Sequence, residues 1–454
     1  TMLAHLLLAY VLAARRGGRP VRILVSAFTH NAINNVLNKV AELLGRYGLG
    51  GSATLVKVQG NQENAQDGQL PAAVERAHNK ALAGLLGSDA PCVIAGSTVW
   101  GIYNAMNSAG GPVQPWFDVV LIDEASQMKV AEALIAFGAA RPDGAVILAG
   151  DDRQLPPIIH GDYPAEHREM LSSVFAFMRA RIEAHEEDGF AARTLFQLEE
   201  NFRGNEALTA YPSETLYNGS YISQQPGILI ETRPPLDANS DDPVDFMLHP
   251  DRAVVLCSYA APVSYTARNP LEAELVASVA ARLAGILVRP GDGTAGDAAW
   301  FANDGFAILS PHRAQNSAIR DALARRGFGT DARPMPLVDT VDKLQGQERE
   351  VVVVSYGVAD EAYAEAEAEF LLSSHRFNVA TTRPRRKLIV FCSDAVLDVV
   401  PQDREVLLEA MRLKQFRGYC DGGQRAFAWP TAEHGDVRLV VSWRTLRQSE
   451  SCDE

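Results

Sequence analysis

Apolar positions along this chain come in short β-branched runs, each followed by a stretch in which they recur at helical spacing. One series comprises VRILVS (residues 21–26), CVIAGS (92–97), FDVVLID (117–123) and AVILAGD (145–151). A second comprises AVVLC (253–257), FAILS (306–310), MPLVDTV (335–341), EVVVVS (350–355) and KLIVFCS (387–393). Strands apolar on both faces that alternate with helices predict parallel sheets covered on each side. Two series predict two α/β domains, over residues 1–198 and 199–420, with a tail over 421–454. Within the first, a small helical insertion is expected at about residues 46–91.

Helix patterns fill the gaps. After the first run, Ile33, Val36, Leu37, Val40, Leu43 and Leu44 fall on one stripe, with Asn31 as the expected cap. The opening TMLAHLLLAYVLAARRGG has its arginines after the apolar run, the reverse of a secretory signal. It also falls short of the ~20 apolar residues of a spanning helix. It reads as a helix closed by Gly17 and Gly18. RPPLDANSDDP (233–243) and RPGDGTAGDA (289–298) read as loops, EAHEEDGF (183–190) as solvated surface, and DEAYAEAEAEF (360–370) as an exposed helix. The tail segment DVRLVVSWRTL (436–446) suggests a strand pair against the second domain.

Composition narrows the class. The chain has 454 residues and a net charge of −14, which excludes a generally basic surface but not a local basic groove. Its five cysteines lack CxxC pairing and read as reduced buried thiols, so a cytoplasmic location is expected and no membrane partner.

The chemistry sits at strand ends. VVLIDEASQM delivers Asp123 and Glu124 to the carboxyl edge of a parallel sheet, where ligand sites of α/β folds form. Such a pair serves Mg²⁺ and the attacking water in phosphoryl-transfer enzymes, although acids also favour a helix N-terminus. Gln127 makes the pattern more specific. ILAGDDRQLPP repeats the arrangement with Asp151 and Gln154, the latter placed to touch both a γ-phosphate and water.

DEASQ followed by GDDRQLPP resembles motifs II and III of superfamily 1 helicases, in the branch of the nonsense-mediated-decay helicase and its bacterial relatives. ILVSAFTHNAINNVL resembles motif Ia and VIAGSTVWG motif Ic. LEENFRGNEALTAYPSETLYNG resembles the segment that opens the family's second domain, ILSPHRAQ motif IV, VDTVDKLQGQE motif V and RFNVATTRPRRKLIVF motif VI. Order and spacing agree from Thr1 to about Ser393.

The resemblance implies two RecA-like P-loop NTPase domains that hydrolyse ATP between them while moving on a single strand, DNA rather than RNA. In that frame Asp123 and Glu124 are the metal-binding and water-activating acids, Gln154 the sensor, and Arg203 and Arg383 the arginine fingers. Gln127, Asp151, Gly346 and Glu348 serve the nucleotide. Ser26, Thr29, His30, Ser97, Thr98, Ser310, Arg313 and Thr340 serve the nucleic-acid backbone, through hydroxyls and amides that suit an acidic chain. Asp342 and Lys343 link the two functions. Trp100 and Tyr103 read first as packing residues and only second as stacking platforms.

Three departures stand out. Pro384 follows Arg383, where proline threatens the helix that aims the finger. His312 replaces a tyrosine, which weakens adenine stacking there. No G-x-x-x-x-G-K-[ST] occurs in these residues. The first helix resembles the one that follows a P-loop, so Thr1 is expected to be its threonine, a Mg²⁺ ligand, or the residue beside it, with the loop immediately upstream and the chain as given inactive as an ATPase. The alternative reading is a binding or scaffold module that kept the helicase fold and lost its nucleotide chemistry.

Overall fold

The computed structural model describes residues 2–59, 70–108, 115–159, 161, 163–185, 189–291, 293–344 and 346–446. The chain divides into two compact units, Thr1–Phe196 and Gln197–Glu454.

The first unit carries strands β1 (Val21–Ala27), β2 (Thr54–Gln59), β3 (Val74–His78), β4 (Cys92–Gly96), β5 (Phe117–Asp123) and β6 (Ala140–Leu148). They form one all-parallel sheet in the order β3-β2-β4-β1-β5-β6. Strand alternation splits the core in two. Ile23 and Val25 pack on one face with Leu7 and Val11 of helix Met2–Gly17 and Ile33 and Leu37 of helix His30–Arg46. Leu24, Val120 and Ile122 pack on the other with Ile102 and Ala133, from helices Val99–Ser108 and Val130–Phe137. Gly18 closes the first helix at φ 63°, a left-handed conformation that suits glycine.

Two local expectations are corrected. The stretch taken for a helical insertion over residues 46–91 contributes two parallel strands, β2 and β3, before its helix Asn79–Leu86. The second helix is capped by Thr29, whose side chain accepts the Ala32 N–H at 3.2 Å, and not by Asn31, which lies inside the helix.

The second unit begins with the short parallel pair β7 (Glu200–Asn201) and β8 (Ile222–Ser223). Its main sheet comprises β9 (Arg252–Tyr259), β10 (Phe306–Leu309), β11 (Leu337–Asp339), β12 (Arg349–Ser355), β13 (Pro384–Ser393), β14 (Gln424–Thr431) and β15 (Gly435–Thr445), in the order β11-β10-β12-β13-β9-β15-β14. The first five are parallel; β15 runs antiparallel to β9, and β14 to β15. Val437, Leu439 and Val441 of β15 join the core formed by Val255, Ile308, Val353 and helix Pro270–Ala284. Strands β14 and β15 therefore belong to this sheet.

Candidate nucleotide and nucleic-acid sites

Parallel register gathers the first unit's candidates at one sheet edge. Ala27 lies opposite Asp123, and Val25 opposite both Gly96 and Leu121. Thr29, Thr98 and the Asp123–Gln127 turn therefore leave the carboxyl ends of neighbouring strands β4, β1 and β5, where open α/β sheets bind ligands.

The turn itself is tightly constrained. Glu124 takes φ 51°, ψ 39°, a left-handed conformation that costs a non-glycine residue about 1–2 kcal/mol. Asp123 Oδ1 accepts the Glu124 N–H at 2.9 Å, and Gln127 donates through Nε2 to Glu124 Oε2 at 3.1 Å. Beyond β6, Gln154 donates through Nε2 to Asp151 Oδ2 at 2.9 Å. Gly150 lets the two turns approach, since a Cβ there would lie 2.9 Å from Ser126 N. Burial, and then the neighbouring Glu124 charge, push the Asp123 carboxyl up to about 6. A group so destabilised as an anion suits a divalent cation, and a hard oxygen donor suits Mg²⁺. Thr1, the other expected Mg²⁺ ligand, lies outside the described residues.

Exposure sorts the expected strand contacts. Ser26 and Ser97 are buried, at 0% and 1% exposure, with the Ser97 hydroxyl donating to the Thr98 carbonyl at 3.1 Å. The side chains of these two are interior and present no hydroxyl to solvent. Thr29 is exposed, and His30 and Thr98 are half-buried. Phe28, Trp100 and Tyr103 are exposed at 50%, 57% and 44%, so the two aromatics read first as packing residues stand outside the core. Trp100 and Tyr103 meet edge to face at 6.2 Å. Phe28 went unnoticed in the sequence because a lone aromatic after a strand carries no periodic signal.

The second unit separates its candidates between opposite ends of the sheet. At the amino ends of β12 and β13, Arg349 pairs with Pro384. Here Arg203 donates through Nε to Glu348 Oε2 at 2.5 Å and through Nη1 to the Thr382 carbonyl at 3.0 Å. Arg385 donates through Nε to the other Glu348 oxygen at 3.0 Å and through Nη1 to Glu350 at 2.9 Å; Arg386 also binds Glu350. Burial alone raises the Glu348 carboxyl, but Arg203 and Arg385 outweigh it and hold the group below its usual range. Glu348, expected to serve the nucleotide, is the hub of this ladder. Gly346 precedes it at φ 72°, a left-handed position. Arg385 and Glu350 were missed as partners because only the strand register brings them together.

Arg383, expected as the second finger, is 3% exposed and donates through Nε to the Val379 carbonyl at 3.4 Å. As it stands, it is an interior helix cap. Pro384 does no damage: helix Ser374–Thr382 has already ended, and proline opens strand β13, a position that tolerates a missing N–H.

At the opposite end, Leu309 lies opposite both Asp339 and Val354, which brings Ser310 and Thr340 together. Ser310, Arg313 and Thr340 line one cavity of about 240 Å³. His312 packs against Tyr363 and Phe370, at 5.9 and 5.5 Å, and burial holds its ring below the usual histidine pKa.

Comparison with known proteins matches these two units to one lineage. Family profiles described as AAA domain match residues 91–162 and 178–395. DNA-binding protein SMUBP-2 of Mus musculus is 27% identical over 296 residues, covering 64% of this chain and 26% of that protein. The DNA replication ATP-dependent helicase/nuclease DNA2 of Mus musculus is 27% identical over 399 residues, covering 84% and 33%. The chain belongs to the superfamily 1 helicases, in the nonsense-mediated-decay-helicase-like class. Both units are α/β folds, the first built on an all-parallel sheet and the second on a mainly parallel one. Among solved structures, the Arterivirus nonstructural protein 10 (helicase) aligns over 85% of this chain and 56% of its own, at 12% identity and a TM-score of 0.36. The chain spans about a quarter to a third of the length of these two relatives.

Proposed function

We propose that this chain is the motor core of an ATP-dependent translocase or helicase acting on a single nucleic-acid strand, DNA before RNA. One observation carries the reading: Asp123, Glu124 and Gln127 are hydrogen-bonded in one turn and Asp151 and Gln154 in another, and Gly150 lets the two turns approach at one sheet edge. Asp123 would hold Mg²⁺ through its carboxylate, a hard oxygen donor. Bound Mg²⁺ supplies charge neutralisation to the phosphates. Glu124 orients and deprotonates the attacking water, Gln154 senses the terminal phosphate, and Arg203 brings positive charge to the transition state.

Relatives named as a DNA-binding protein and a DNA replication helicase support DNA as the strand. Four buried free thiols, Cys92, Cys257, Cys392 and Cys420, support a reducing, cytoplasmic setting as part of the proposal. Among the described residues no helix is long and apolar enough to cross a membrane. The test is ATP hydrolysis by the protein expressed from its gene, with and without oligothymidylate and oligouridylate. Stimulation by the DNA strand, abolished in Glu124→Gln, is expected; hydrolysis indifferent to any strand overturns the reading.

A further inference from the structure

The cavity at the carboxyl ends of β10, β11 and β12 has more structure than backbone contacts require. Its walls include Tyr356, Leu371 and Phe377, all buried. Ser310, 2% exposed, lines it with a hydroxyl that has no hydrogen-bond partner among the described residues. Phe370 and Arg376 stand on its rim, half-buried, with the guanidinium carbon 4.4 Å from the ring centroid.

We propose that this cavity receives a single nucleobase of the bound strand, and that Phe370 and Arg376 are base-contacting residues. This deepens the nucleic-acid reading above and rests on it. Size selects the occupant: about 240 Å³ is smaller than the ~300–1,000 Å³ of sites that enclose a whole drug-sized ligand, and suits one ring system. Chemistry agrees, because aromatic rings are platforms on which bases stack and an arginine beside one adds a cation–π contribution. Charge agrees as well. Arg313 and Arg376 outnumber Asp342 around the cavity, which leaves a positive rim for the phosphates that flank a captured base. The walls are apolar and carry few polar groups, so the pocket discriminates little between bases, as a motor that moves along any sequence requires.

The experiment is fluorescence anisotropy of labelled oligothymidylates with this chain, without nucleotide, scanning one abasic residue along the strand. For the wild type, one abasic register is expected to weaken binding about ten-fold, the scale of one lost stacking contact. Phe370→Ala is expected to bind the intact strand about ten-fold more weakly and to be indifferent to the abasic residue. Arg376→Lys, which keeps the charge and loses the plane, should show part of the same loss. A flat abasic scan on the wild type overturns the pocket without recourse to any variant. So do losses from Phe370→Ala and the abasic residue that multiply. A wild type that binds no strand overturns the nucleic-acid reading itself, a separate outcome.

Discussion

Arg203 and Glu348, 145 residues apart in the chain, meet in an ion pair of 2.5 Å whose carboxylate is held from its other side by Arg385. Arg203, the proposed finger, is thus anchored within its own domain, with the Thr382 carbonyl as its second hold.

Arg203→Ala should lower strand-stimulated ATP hydrolysis by about 10³-fold or more, the scale of an arginine finger. Glu348→Ala removes one of the two holds and should cost less, about 100-fold or below, as misplacement does. Both partners are about one-third exposed, so either change should move stability by no more than ~1 kcal/mol. Steady-state kinetics beside urea melts check this. Equal rates in Arg203→Ala and wild type would remove Arg203 from the chemistry.

Glu124→Gln keeps the side chain's size and its contact to Gln127 while removing the base. Turnover should fall by about 10²–10⁴-fold with ATP affinity little changed. Nucleotide binding by calorimetry and turnover measured on the same preparation separate the two effects. If affinity falls with turnover, Glu124 belongs to binding and not to water activation.

Glu272 is fully buried between the Tyr259 hydroxyl, the Ser355 hydroxyl and the Gly357 N–H. Burial outweighs these donors and pushes its carboxyl up to about 7 from an ordinary 4.5. A folded carboxyl whose pKa is raised holds its proton where the unfolded chain has lost it. Its contribution is complete below about pH 4.5 and is lost as pH rises through about 7. Glu272→Gln has no proton to lose. The variant's melting temperature should therefore gain on the wild type as pH climbs across that window. Parallel curves from thermal melts would show that Glu272 titrates normally.

Gly96 in β4 faces helix His30–Arg46 so closely that a Cβ would lie 2.6 Å from Ile33 Cγ2 and 2.7 Å from Leu37 Cδ1. Both neighbours are fully buried and have no room to yield. Gly96→Ala should destabilise the first unit by about 1–3 kcal/mol through overpacking. A urea midpoint unchanged by the substitution would mean that the helix can shift outward.

The apolar central strands were legible because they are buried on both faces and so read as unbroken β-branched runs. Strands β2 and β3 were not. TLVKVQ carries Lys57, fully buried, in the middle of its apolar run, and VERAH buries only Val74 and Ala77 at the sheet's edge. Neither segment shows the composition that sequence patterns detect. Thr29 and Asn31 are equally good caps by chemistry; what decides between them is where β1 ends, a tertiary fact. The Asp123–Glu124 and Asp151–Gln154 turns were legible because each joins sequence neighbours. The Glu348 ladder was not, since its members come from segments that only the fold brings together; nor was the Phe370–Arg376 rim, because the two lie on consecutive helices whose mutual packing no periodicity encodes.

Trp100 tests how the first unit holds a strand. It sits one turn past β4, 57% exposed, beside the half-buried Thr98 and edge to face with Tyr103. So large an aromatic surface in water contributes little to folding, and Trp100→Ala should leave stability within about 0.5 kcal/mol. If the ring stacks on a base, the same change should cost ~1–3 kcal/mol of strand affinity, roughly five-fold or more. The loss should add to that of Phe370→Ala, since the two residues lie in different domains and would hold different bases. Anisotropy titrations of the single variants and the double variant measure both quantities. Unchanged affinity in Trp100→Ala would return Trp100 to a surface residue without a role in binding, while a loss matched by a lowered melting temperature would make it structural.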